Sequence, residues 1–312
     1  MNNLKQKTNP YRSLGDGRCS AWPQGSCRLD FLSCRARVAA FCLLFAGLYC
    51  FLSPQMSQSA ELPPDLKGII ERGKIVVAMF RGEAPPFFMR DSHGDMFGYD
   101  IELAQDLAAR LGVALEWDKT ADTYDQVIEL VATGKADIGI SALSKTLFRA
   151  RFVRFSEPYV ILRQALMLNR LLAARSNIAA STESLQSHKG TTIAVVEGSA
   201  YVDFAKDNFP TAEIVHREDW NEAVQDVLSG KFLLAFSDEL SAYNWSRKNP
   251  ESAVFLKTII LEDSKDTIAF AVAWNRTHFL SWLNLYLEKI RSDGTEKKLR
   301  AYYLESDQWR RK

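Results

Sequence analysis

VATGKADIGIS (Val131–Ser141) and VLSGKFLLAFS (Val227–Ser237) are the stretches on which the fold turns. In each, a helical pattern stops at Gly-Lys and a short apolar run follows, the punctuation of a helix handing over to a buried strand. Because the cadence occurs twice, the sequence predicts two comparable α/β units. Around the first copy, KIVVAM (Lys74–Met79) reads as a buried strand. Asp100 reads as the N-cap of a helix with Ile101, Ala104, Leu107, Ala108 and Leu111 at helical spacing, stopped by Gly112. Val113–Trp117 follows as a strand, then a helix from about Tyr124 to Thr133, then a strand over Ala136–Leu143. Around the second copy the pattern is a strand at Thr191–Val196, a helix after Gly198, a strand at Glu213–His216, a helix from Trp220 and a strand at Phe232–Ser237. A last strand, Thr267–Trp274, leads into helices near Thr277–Arg291 and Thr295–Leu304. A chain that leaves one unit, builds a second and returns is joined by two crossing strands. That arrangement is a hinge beside a cleft, a preferred place for small ligands.

The composition excludes several classes. The 312 residues carry 39 Lys and Arg against 38 Asp and Glu, so no bulk field argues for a nucleic-acid partner. Gly134 and Gly230 belong to neither a GxGxxG nor a GxxxxGK[ST] pattern, so the glycines mark structure and not a phosphate loop. The five cysteines, Cys19, Cys27, Cys34, Cys42 and Cys50, all precede Glu61 and lack the paired short spacing of zinc ligands. No metal and no cofactor is expected, and the working domain uses no thiol. The sequons at Asn244 and Asn275 match a glycosylation pattern by letters only.

Residues 1–60 read as a leader. Arg35 and Arg37 precede the apolar run Val38–Leu52, and the small polar residues Ser57–Ala60 follow it, which is signal-peptide order. The run is short of the roughly 20 residues of a spanning helix. Cleavage is expected near Ser59, with a retained inner-membrane anchor as the alternative. Tyr49 stands before Cys50 where a lipoprotein site wants a small residue, which disfavours lipidation.

Several segments, in order, then carry a likeness: KIVVAMFRGEAPPF, GYDIELAQDLAARLG, GKADIGISALSKTLFRARFVRFSEPY, VVEGSA, FSDELSAY and SDGTEKKLRAYY. Together they resemble the family 3 extracellular solute-binding proteins, the polar amino-acid receptors of ABC importers, over roughly Lys74–Tyr303. The resemblance implies an α/β fold of the type II periplasmic binding protein, two α/β lobes joined by a two-strand hinge. Residues 66–165 plus 268–312 form lobe one and residues 166–267 form lobe two. It places Ser141, the backbone at Leu143, the Ser144 hydroxyl and Arg149 around the ligand's backbone end. A guanidinium fork suits a carboxylate, and a helix start near Thr146 would add amide donors. Across the cleft the resemblance sets the amides of Gly198, Ser199 and Ala200, with Ala200 where a threonine is usual. Asp238 matches the acceptor of the ligand's α-ammonium; its plainer reading is an N-cap for the helix that follows. Tyr124 and Phe87 match aromatic wall positions, while Ala84 replaces an aromatic. Arg81 stands where many members are acidic. Facing the cleft it would favour an anionic side chain on the ligand; otherwise it points to solvent beside Glu83.

The function implied is an exported, periplasmic, monomeric protein that captures an amino-acid-like or carboxylate ligand and presents it to an ABC permease in the inner membrane. It is not expected to be an enzyme. The first rival is an enzyme on the same fold, resembling the cyclohexadienyl dehydratases. None of His93, His188, His216 and His278 falls in a matched ligand segment, and Glu197 is the nearest carboxylate candidate. The second rival is a ligand-sensing accessory protein.

Overall fold

The computed structural model describes residues 61–311, and the leader reading and all five cysteines lie outside those residues. In chain order the described elements begin with α1 (Pro64–Arg72), β1 (Lys74–Phe80), the hairpin β2 (Met89–Arg90) and β3 (Met96–Phe97), α2 (Tyr99–Leu111), β4 (Ala114–Ala121), α3 (Tyr124–Ala132), β5 (Ile138–Gly139) and β6 (Val153–Phe155). The second group is β7 (Val160–Asn169), α4 (Arg170–Arg175), α5 (Thr182–Ser187), β8 (Thr192–Val196), α6 (Tyr201–Asn208), β9 (Glu213–Arg217), α7 (Trp220–Leu228), β10 (Leu234–Asp238), α8 (Glu239–Lys248) and β11 (Leu256–Ile268). The chain then returns with β12 (Ala271–Ala273), α9 (Thr277–Ser292) and α10 (Thr295–Tyr303).

Two five-stranded sheets organise these elements. The first has the order β4-β1-β5-β12-β6, with β1 parallel to both neighbours and β12 antiparallel to β5 and β6. The second has the order β11-β7-β10-β8-β9, with β10, β8 and β9 parallel and β7 antiparallel to β10 and β11. Strand β1 is buried nearly end to end because helices cover both faces, as a central parallel strand requires. Ile75, Val77, Met79, Leu103, Leu107 and Ile138 fill the core about the first sheet. The second sheet has a core on each face, one around Leu166, Phe209 and Phe236 and one around Met167, Val224 and Trp245.

The returning segment is tied to the chain's described beginning by a buried carboxylate. Asp137 accepts from the Val76 amide at 2.9 Å, from Arg276 Nη2 at 3.2 Å and from Arg72, which places the C-terminal helices on the first sheet. The crossings between sheets run from β6 to β7 and from β11 to β12, and β7 and β11 pair antiparallel along most of their length. In both sheets the carboxyl ends of the parallel strands point into the space between the sheets. Ligands of open α/β sheets bind at such ends.

Several local expectations change. Asp100 is not a cap: Gly98 is the N-cap of α2, and Asp100 lies buried in the first turn, where its carboxylate accepts from the Ala142 amide at 2.6 Å and the Tyr159 hydroxyl at 3.0 Å. The strand expected over Ala136–Leu143 pairs only at Ile138–Gly139, because the chain turns away at Ala142, whose φ is 45°. Thr267–Trp274 is not one strand but the end of β11 and all of β12, which belong to different sheets. No α-helix begins at Thr146; a single 3₁₀ turn covers Arg149–Arg151, and Thr146 Oγ1 accepts from the Arg149 amide at 3.2 Å.

Candidate functional site

Loops that leave the strand ends enclose a cavity of about 720 Å³ between the two sheets. Ligand sites commonly span about 300–1,000 Å³. The first sheet contributes Arg81 after β1, Thr123 and Tyr124 after β4, and Ala142, Ser144 and Arg149 after β5. The second contributes Glu197, Ser199 and Ala200 after β8, and Asp238 at the end of β10.

Arg149 is the best-enclosed cation of this wall, with 2% of its surface exposed. Its Nε donates to Asp125 Oδ1 at 2.9 Å, Nη1 to the Ser144 carbonyl at 3.2 Å and Nη2 to the Gly198 carbonyl at 3.2 Å. A guanidinium has five N–H donors, so one N–H on each Nη is left over, one for each oxygen of a carboxylate. The Gly198 bond joins the lobe built on the second sheet to the lobe built on the first. The Asp125 amide donates to the same carbonyl at 3.1 Å. Gly198 has φ of +63°, and a Cβ there would lie 2.6 Å from Thr123 Cβ, so this approach of the lobes needs glycine. A second contact spans the cleft where Asn244 Nδ2 donates to the Pro85 carbonyl at 2.9 Å and Arg310 donates to Asn244 Oδ1.

The other expected residues divide. Tyr124 lines the cavity and stacks on Phe80 with centroids 4.9 Å apart, and Phe87 lines it edge-on to Tyr99. Ala200 is buried at the wall, beside the N-terminus of α6, whose dipole favours negative charge there. Ser199 lines the wall, but its hydroxyl and amide both donate to the Val196 carbonyl, so the turn consumes them. Ser141 and Leu143 are buried away from the cavity lining. Ser141 Oγ accepts from the Phe80 amide at 3.0 Å, and the Leu143 carbonyl accepts from the Ala269 amide at 3.0 Å. Arg81 stands at the rim with 64% of its side chain exposed and pairs with Asp122 at 2.8 Å, not with Glu83. Its charge is therefore met by a neighbour on the protein.

Asp238 is both a wall residue and the N-cap of α8. Its Oδ1 accepts from the Ser241 amide at 2.8 Å and its Oδ2 from the Ser241 hydroxyl at 2.6 Å. Burial pushes its carboxyl above the usual range, against the Ser241 bonds that hold it down. Sequence reasoning missed two carboxylates. Asp100 clamps the left-handed turn at Ala142 from behind, and burial pushes it up to about 7. Asp266 lines the cavity from β11, opposite Leu162 in the β7–β11 ladder, and burial pushes it up to about 7 as well. The alternation of exposed Lys265 with apolar Ile268 hides Asp266 in a segment, LEDSKDTI, that reads as a polar edge. No sequence signal marks its inward turn.

With this geometry in hand, the chain can be compared with known proteins. The model of the bacterial extracellular solute-binding proteins, family 3, matches residues 76–306. The chain belongs to that family. Among its relatives is the lysine/arginine/ornithine-binding periplasmic protein of Escherichia coli, 26% identical over 226 residues that cover 70% of this chain and 84% of the relative. The cyclohexadienyl dehydratase of Pseudomonas aeruginosa is 31% identical over 186 residues, covering 60% and 67%. Among solved structures, an ancestral amino acid-binding protein described as a precursor of cyclohexadienyl dehydratase superposes with a TM-score of 0.64 at 29% identity, covering 76% of this chain and 98% of that one. These comparisons support a ligand-binding protein of the amino-acid-transport family with the type II periplasmic binding fold. They include both binders and an enzyme. Among the described residues no helix is long and apolar enough to cross a membrane.

Proposed function

We propose that this chain is an exported, periplasmic receptor that captures an amino-acid-like ligand in the cavity and hands it, in closed form, to an ABC permease. The observation that carries the reading is Arg149: a buried guanidinium at the cavity wall with one donor left on each Nη and one bond to the opposite lobe. A ligand carboxylate on that fork would join the two lobes through one residue, so binding and closure are the same event. The crossings β6–β7 and β11–β12 are the hinge in this reading, with lobe one at residues 66–165 plus 268–312 and lobe two at 166–267, in a monomeric protein.

The cavity also bears on the ligand's charge. Carboxylates outnumber cations among its lining side chains, with Glu197, Glu218 and Asp219 on the second lobe's rim, and Arg81 is neutralised by Asp122. This field favours a cationic ligand over the anionic side chain that Arg81 alone would suggest. The lysine/arginine/ornithine-binding relative is in keeping with it. A thermal-shift panel of amino acids on the full chain tests the proposal. A true ligand at a hundred times its Kd stabilises by about 2.7 kcal/mol. A panel in which no amino acid shifts the transition contradicts it.

The dehydratase relative favours one second reading, an enzyme whose acid is Glu197 at the cavity wall. Loss of water from a bound ligand, followed by mass spectrometry, would establish that reading and displace capture.

A further inference from the structure

Asn244, on the second lobe's helix α8, is 8% exposed and is met from the first lobe at both ends of its side chain. Its Nδ2 donates to the Pro85 carbonyl at 2.9 Å, and its Oδ1 accepts from Arg310 Nη2. Three residues further along α8, Arg247 Nη1 pairs with Asp307 Oδ2 at 2.6 Å. The other oxygen of that carboxylate, Asp307 Oδ1, accepts from Arg310 Nε at 2.7 Å. Asp307 therefore bridges an arginine of one lobe and an arginine of the other. Arg310 lies in a 3₁₀ turn, Gln308–Arg311, that follows α10, and Asp307 immediately precedes it.

This turn is rooted in the first lobe. Trp309 is 5% exposed and belongs to the core about the first sheet, and the Arg310 guanidinium lies 4.5 Å from its ring centroid. From that root Arg310 and Asp307 reach across to α8. The contact borders the ligand cavity, which Pro85 and Asn244 line, and a second cavity of about 400 Å³ walled by Trp309 and Arg310 shares Glu83, Pro85 and Lys248 with it. The two interlobe contacts differ in kind. Arg149 turns spare donors toward the cavity, whereas the bonds among Asn244, Pro85, Arg310, Asp307 and Arg247 are made between protein groups alone. Such a contact favours the touching state of the lobes by the same amount whatever the cavity holds. It sets how often the lobes close, and apparent affinity follows that fraction. The Asp307–Arg247 pair is partly exposed on both sides and so contributes modestly; the bonds to buried Asn244, one of them from a guanidinium, are the stronger part.

We infer that the turn after α10, through Arg310 and Asp307, is a strap that holds α8 of the second lobe against the first and sets the open–closed balance of the protein independently of its ligand. Its effect on affinity rests on the capture-by-closure reading of the cavity; the balance itself is the same for any ligand.

The test reads lobe separation directly. Spin labels on genetically encoded side chains at the exposed Lys135 and Lys189, one on each lobe, report the interlobe distance of the full chain by double electron–electron resonance, without ligand and with saturating L-arginine. Wild type without L-arginine should show a closed population, and Arg310→Met combined with Asp307→Asn should lower the closed-to-open ratio at least tenfold, as the loss of a charge-assisted hydrogen bond does. Methionine keeps an apolar stem on Trp309, so the urea unfolding midpoint should stay at the wild-type value, a readout that a merely structural role would move. Calorimetric affinity for L-arginine should fall by a similar factor, carried by faster dissociation. Arg247→Gln cuts the ion pair from the other lobe; it should open the lobes about threefold alone, add nothing to Asp307→Asn, and stand in if the combined variant fails to fold. The inference is overturned if the combined variant keeps the closed-to-open ratio within twofold of wild type, if wild type has no closed population without L-arginine, or if the lobes open only in step with a loss of urea stability. Should wild type not bind L-arginine, the amino-acid reading fails for that probe, and the distances measured without ligand still decide the strap.

Discussion

Gly198→Ala separates the closing of the lobes from the stability of the fold. The residue has φ of +63°, and the added methyl would sit 2.6 Å from Thr123 Cβ and 2.9 Å from Thr123 Oγ1 across the cleft. The left-handed backbone costs about 1–2 kcal/mol for alanine whether or not the lobes touch. The clash exists only when they do. Relieving it withdraws the Gly198 carbonyl from the Asp125 amide and from Arg149 Nη2. A neutral hydrogen bond contributes about 1 kcal/mol net and one from a charged donor about 1.5–3 kcal/mol. The touching state therefore loses about 2.5–4 kcal/mol relative to the open one, which is roughly two to three decades in affinity. Gly230→Ala is the control: its φ is +83° and nothing but Asn169 Nδ2, at 3.9 Å, comes near the new methyl. Both variants should lower the melting temperature by a few degrees, and only Gly198→Ala should weaken calorimetric binding of the preferred amino acid. Binding by Gly198→Ala within threefold of wild type would refute the claim that this contact belongs to the liganded state.

Three other perturbations follow from the same geometry. Asp238→Asn keeps a good N-cap and removes the charge, so stability should change by only a few tenths of a kcal/mol while affinity for cationic ligands falls at least tenfold; Asp238→Ala should cost about 1 kcal/mol more in denaturant titration. Asp100 and Asp266 both sit at about 7 in the folded chain against 3.8 for an ordinary aspartate, so folding favours their protonated forms. That contribution is complete below pH 4 and is lost as pH rises through 7, so the stability of ligand-free wild type relative to Asp266→Asn should decline between pH 4 and pH 7 and level off above, read by urea unfolding. Arg81→Asp should shift ligand preference less than threefold in competition binding, because the exposed Arg81 is paired with Asp122 at the rim.

The fold was legible where periodicity and punctuation agreed. The Gly-Lys stops before β5 and β10, and the αL glycine that ends α2, turned apolar spacing into placed helices and strands. The connecting architecture was not. Strands β7 and β11 carry mixed patterns, because one end of each lies in the second sheet and the other end in the crossing, so no single period runs through them. Within the candidate site, Arg149, Ser144, Asp238 and Tyr124 were placed by the resemblance to the family and not by periodicity or spacing, and all four line the cavity. Ser141 and Leu143 sit in the same short loop yet face β1 and the core, since the turn at Ala142 reverses the direction in which successive side chains point. Asp100 illustrates the converse: an aspartate at the start of a helix invites the N-cap reading, but Gly98 ends the extended segment two residues earlier and leaves Asp100 facing inward. Asp266 was invisible because the two hydroxyls it accepts from are 122 and 65 residues away in sequence.

The central claim is that Arg149 grips a ligand carboxylate. Its most direct test is the ratio of affinities for L-arginine and agmatine, which differ only by that carboxylate, measured by calorimetry on wild type and on Arg149→Met. A ratio of a hundred or more in wild type that collapses toward one in the variant, with agmatine binding little changed, is the result expected. Equal affinities in wild type, or a ratio that survives Arg149→Met, would contradict it.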